Sequence, residues 1–96
     1  MNLEAFVSSL AGEAPPEGLS PALQALWREA KGDWHEAHRL AQSDKGEAGA
    51  WVHAYLHRVE GDEGNAGYWY RRAGKTQASG DLKREWQDIA AALCEG

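Results

Sequence analysis

Apolar residues recur at helical spacing in six stretches of the chain, and nowhere do they alternate as they would along a half-buried strand. Leu3, Phe6, Val7 and Leu10 mark the first stretch, with Asn2 placed to cap it. Gly12 and the Pro15-Pro16 pair end it, because proline cannot continue a helix. Ser20-Pro21 reads as a second start, Ser as cap and Pro in the first turn, before Leu23, Leu26, Trp27 and Ala30. Gly32 stops that helix. Asp33, with Glu36 three residues on, starts a third that carries Trp34, Ala37, Leu40 and Ala41. Asp44 and Glu47 repeat the spacing and predict a fourth helix running to about Glu60. Its apolar face is Trp51, Val52, Tyr55, Leu56 and Val59, with His53, His57 and Glu60 on the opposite side. Asp62 starts a fifth, with Ala66, Trp69, Tyr70 and Ala73 at i, i+3, i+4 and i+7, ended by Gly74. A polar loop, KTQASGD, leads to the sixth, marked by Leu82, Trp86, Ile89 and Leu93.

The expected fold is therefore all-α, with about six helices in a single domain of residues 1–96. It divides into an N-terminal helix and Pro-rich loop (1–18), a first hairpin (20–43), a second hairpin (44–74) and a C-terminal capping helix (80–95). Gly64 and Gly67 weaken the fifth helix by about 1 kcal/mol each relative to Ala, which close contact with a neighbour would offset.

Composition narrows the function classes. The chain has 96 residues, a formal net charge of −5 and one cysteine, Cys94. A net negative charge argues against nucleic acid as a partner; the local cations Arg71, Arg72 and Lys75 suit the C-terminal end of a helix. No apolar run approaches the roughly 20 residues of a membrane span. The N-terminal segment has no basic n-region, and one cysteine allows no internal disulfide, so a cytoplasmic setting is expected. A domain this short buries a modest share of its surface, and a homodimer could supply more.

The chain carries an internal repeat. AKGDWHEAHRLA and VEGDEGNAGYWYRRA each place Gly-Asp between helices and an Ala five residues after the Gly. Gly32/Gly61 and Ala37/Ala66 share one offset of 29 residues, 61 − 32 and 66 − 37. The pattern resembles the tetratricopeptide (TPR) repeat over about residues 20 to 74. Ala66, Tyr70 and Ala73 fit that family's small–aromatic–small signature after the turn, and Ala25 and Ala54 its small position before it. In the first unit Ala37 fits, but Ala41 stands where an aromatic is usual and Asp44 where Ala is usual. The resemblance implies two antiparallel hairpins and a concave surface that takes extended peptides. Trp51, Tyr55 and Arg58 would point toward that surface. Residues 51–74 also resemble a family of small, uncharacterised bacterial proteins with the pattern W-V-H-A-Y-L-H-R-x-E-G-D-x-x-N-A-x-Y-W-Y-x-R-A-G. That likeness implies a fold and a bacterial cytosolic setting, and no activity.

Three sets of residues carry chemistry. His53 and His57 stand at i, i+4, a spacing that can chelate zinc or another divalent ion, and His35 and His38 lie on the preceding helix. The other reading of these histidines is partly buried side chains bonded to backbone groups or carboxylates. Trp51, Tyr55 and Arg58 could anchor a peptide carboxylate or a planar anionic group, or could be core with Arg58 paired to Glu60 or Glu29. Asn65, Tyr68, Trp69, Tyr70, Arg71 and Arg72 form the third set, with Tyr68 and Arg72 placed to stack; the other reading makes Trp69 and Tyr70 core and leaves Tyr68 half exposed. No catalytic residue is assigned: Ser8 and Ser9 have no histidine close in sequence, and capping explains the carboxylates Glu60, Asp62 and Glu63. The expected function is a protein- or small-ligand-binding module. Its site would draw on Trp51, His53, Tyr55, His57, Arg58, Asn65, Tyr68 and Arg72. Its partner would be a protein, a peptide or a small anion. The alternatives are a histidine-based divalent-metal-binding protein, in which zinc or a similar ion is the one cofactor implied, and more remotely a small enzyme.

Overall fold

The computed structural model describes residues 1–95; Gly96, with which the expected domain ends, lies outside the described residues. These residues form six α-helices: α1 (Leu3–Ser8), α2 (Pro21–Ala30), α3 (Trp34–Ser43), α4 (Glu47–Val59), α5 (Glu63–Ala73) and α6 (Leu82–Glu95). There is no strand among them, and a 3-10 turn at Ser9–Ala11 extends α1. No described helix is long and apolar enough to cross a membrane.

Side chains three residues away fix most helix starts. Asn2 Oδ1 accepts from Ala5 N at 2.8 Å, Ser20 Oγ from Leu23 N at 3.2 Å, Asp33 Oδ1 from Glu36 N at 3.1 Å and Asp62 Oδ1 from Asn65 N at 3.1 Å. Each bond satisfies a backbone donor that the helix itself leaves open. The reciprocal half of the Asp33 capping box does not form, because Glu36 pairs with Arg39 instead. The expected cap at Asp44 needs correction. α4 begins at Glu47 with Gly46 as its cap, and Asp44 Oδ1 accepts from Gly46 N at 3.0 Å in the turn before it. Gly49 permits this tight turn. A Cβ there would lie 2.1 Å from the Asp44 carbonyl oxygen.

The repeat is visible as geometry. Gly32 and Gly61 take φ of 90° and 86°, which favours glycine. The next residues, Asp33 and Asp62, have nearly equal backbone angles. Asp33 N donates to Arg28 O and Asp62 N to His57 O, each at 2.9 Å. α2 packs along α3 and α4 along α5, and α3 against α4 joins the two hairpins.

α4 is the central helix. α2, α3, α5 and α6 all contact it, and residues 52–58 are buried without a break. Its histidine side, expected to face away from the core, is therefore enclosed. α6 rests on α2 and α4, and α1 closes the end against α6. Phe6 stacks on Trp86 at 5.7 Å, Trp86 Nε1 donates to Leu26 O and Trp27 Nε1 to Ser9 Oγ. The main core gathers Leu26, Trp27, Val52, Leu56 and Ile89. A smaller cluster of Ala54, Ala66 and Tyr70 seals α4 to α5.

Arg58 belongs to this framework. Its partner is neither Glu60 nor Glu29 but Glu85 of α6, Nη1 donating to Oε1 at 2.7 Å with both side chains under a tenth exposed. Arg58 Nη2 also donates to Gly80 O, and Tyr70 OH to Glu85 Oε2. This network ties the loop at 74–81 and α6 onto the second hairpin.

Candidate metal centre

α3 and α4 bring three histidines together. The ligand nitrogens of His38, His53 and His57 all lie within 4.8 Å of one another. Ring centroids are 4.6 Å apart for His38–His53, 5.4 Å for His38–His57 and 4.9 Å for His53–His57. Imidazoles bound tetrahedrally at zinc-to-nitrogen distances of 2.0–2.1 Å would hold their centroids about 5 Å apart. The centroid spacings lie near that value, and the nitrogens, within 4.8 Å of one another, would close to about 3.3 Å around such an ion.

Each ring is held by something other than a metal. Trp34 starts α3 and donates Nε1 to the Leu56 carbonyl at 2.8 Å, near the end of α4. Fixed there, its indole stacks on His38 at 4.9 Å with planes 13° apart and meets His57 edge-on at 6.3 Å. Trp69 of α5 stacks on His53 at 3.9 Å, also 13° from parallel. His57 Nδ1 meets Glu60 Oε1 at 2.6 Å. A carboxylate on one imidazole nitrogen fixes the tautomer and leaves the other nitrogen for an ion. Glu60 therefore leaves Nε2 of His57 as the donor.

The cluster is dry. His53 is 3% exposed and His57 9%, while His38 is half-buried. Burial lowers the His53 imidazole to about 4, helped by repulsion from His38 and His57. Burial likewise lowers His38, with His57 adding to the effect. Both are neutral at pH 7 and offer lone pairs, the form in which imidazole ligates. Among the described residues neither ring has a hydrogen-bond partner, and each is stacked on an indole, His38 on Trp34 and His53 on Trp69.

A second grouping, His57, Glu60 and Asp62, shares His57. Its carboxylates are already engaged. Asp62 accepts from Asn65 N and Nδ2, which hold its carboxyl below the usual range, and Glu60 orients His57.

The other expected site residues are dispersed. His35 is exposed, edge-on to Trp34 at 5.5 Å, and stands outside the cluster. Tyr55 is 3% exposed and donates its OH to Glu29 Oε1 at 3.3 Å on the far side of α4. Arg58 is held in the Glu85 network. Trp51 is half-buried beneath the Lys75 ammonium, 4.2 Å from its centroid. Asn65 serves the Asp62 cap. Tyr68 is 45% exposed and accepts from Arg72 Nη1 at 3.2 Å, and the Arg72 guanidinium lies 5.3 Å from the Trp69 ring. The sequence does not link Trp34 or Trp69 to the histidines; Trp69 stands there only in the set with Tyr68 and Arg72. Trp34 beside His35 and four before His38 is the available signal for the first; nothing local ties the second to His53.

A cleft of about 690 Å³ opens beside the cluster, between the α3–α4 turn and α5. His53, Ala50, Trp69, Arg72 and Lys45 are among the residues that line it. Compared with protein-family models, with curated proteins and with solved structures, the chain finds no match.

Proposed function

We propose that the domain binds one divalent transition-metal ion through His38, His53 and His57. The convergence of three imidazole nitrogens within 4.8 Å carries this reading. Imidazole ligands suit zinc, copper, nickel and cobalt, and three of them without a carboxylate disfavour magnesium and calcium. Glu60 acts behind His57, orienting it. Trp34 and Trp69 fix the other two rings by stacking, so little side-chain freedom remains to be lost on binding. The ion would join α3 to α4 and so lock the two hairpins together. Tyr55 and Arg58, the alternative anchors for a peptide or anion, are engaged inside the fold.

Calorimetric titration of metal-free protein with zinc tests the reading. One equivalent should bind in the wild type, and His53→Asn and His38→Asn should each weaken binding at least tenfold. Glu60→Gln should weaken it by about 10- to 100-fold. Circular dichroism of each variant separates lost ligation from lost folding. Binding at one equivalent that survives both histidine substitutions in folded protein would exclude this site.

A further inference from the structure

The three donors leave a zinc-class ion one ligand short of four. They also leave it fully charged, because imidazole ligates in its neutral form. No carboxylate belongs to the three-histidine set, and the nearest, Glu60, lies against the outer nitrogen of His57. A divalent charge held among rings that are buried or half-buried needs an anion beside it. The fold provides a way in. His53 is at once a member of the cluster and part of the wall of the 690 Å³ cleft, where Ala50 adds no bulk. Lys45 and Arg72 bring cations to the same wall. Asp44 and Glu47 also line it, but the Asp44 carboxylate is turned to Gly46 N. Among the described residues the exposed Arg72 side chain is anchored by Tyr68 and by the Trp69 ring, which itself covers His53. A guanidinium in that place matches the two oxygens of a carboxylate.

Resting on the metal reading above, we infer that the bound ion keeps one exchangeable position, open to this cleft, that takes a small carboxylate-type anion, with Arg72 as its outer partner. Cobalt serves as the probe, since its visible bands report coordination number and ligand type. Cobalt-loaded protein is titrated with acetate and, separately, with azide. Saturable changes in the visible bands with both anions are expected. Arg72→Gln should weaken acetate about tenfold while leaving cobalt affinity unchanged. Bands that neither anion moves would show a closed site and overturn the inference while leaving the metal reading intact. An acetate affinity unchanged in Arg72→Gln would overturn the role of Arg72. Absence of any cobalt band would overturn the metal reading and this inference with it.

Discussion

The imidazole of His53 lies flat against the indole of Trp69, ring centroids 3.9 Å apart and planes 13° from parallel. The contact crosses from α4 to α5, so α5 supplies no ligand to the histidine cluster yet determines how one ligand stands. It also covers a ring that would otherwise reach water. Trp34 does the same for His38 from within α3.

That cover has a consequence for pH. His53 is lowered to about 4 by burial first, then by its two histidine neighbours. In the unfolded chain it returns to about 6.5. Between these values the unfolded state binds more protons than the folded one, so stability rises with pH across the window. It is fully present above about pH 6.5 and is lost as pH falls toward 4. His38 shifts in the same direction. An NMR titration should find the His53 midpoint near pH 4, and urea midpoints should fall steadily from pH 7 to pH 4. A His53 midpoint above 6 would contradict the packing described.

Much of the helical framework could be read from the chain, and the reason is local chemistry. Asn2, Ser20, Asp33 and Asp62 each cap a backbone amide three residues away, so the start is written within one turn. α4 departs from this because its start depends on how closely Gly49 approaches the Asp44 carbonyl, which cap spacing does not encode. His53 and His57 were legible as a pair, but the wheel placed them outward because it assumed one buried face. α4 is buried at every position from Val52 to Arg58, so it has no single outward face there. That His38 rather than His35 turns inward depends on where Trp34 docks, at a carbonyl 22 residues away. The Arg58–Glu85 pair spans 27 residues and had no local sign.

Removing Glu85 should be costly. Glu85→Ala strands the buried Arg58 guanidinium and takes the acceptor from Tyr70. A loss of about 3–5 kcal/mol in urea unfolding is expected. A triple variant, Arg58→Met with Glu85→Leu and Tyr70→Phe, should be less destabilised than Glu85→Ala alone, because no uncompensated charge remains.

Gly49→Ala tests the turn before α4. The new methyl would sit 2.1 Å from the Asp44 carbonyl oxygen, against backbone that cannot swing away. About 1–3 kcal/mol of destabilisation is expected from thermal melts. Gly64→Ala provides the contrast. Its methyl would meet only an Asp62 oxygen at 3.8 Å, so the change should stabilise α5 by up to about 1 kcal/mol.

Zinc should stabilise the folded state. At a free concentration about 100 times the dissociation constant, binding to the native state alone adds about 2.7 kcal/mol. For a domain of this size that corresponds to a Tm rise of about 10–20 °C, reversed by a chelator. Differential scanning calorimetry with and without zinc at pH 7 makes the measurement. His57→Asn should abolish the rise.

The metal centre is tested most directly by X-ray absorption at the zinc edge of the loaded protein. Three imidazoles at about 2.0–2.1 Å, with one lighter oxygen or nitrogen donor beside them, is the result expected from His38, His53 and His57. A shell of oxygen donors without imidazole scattering would contradict it.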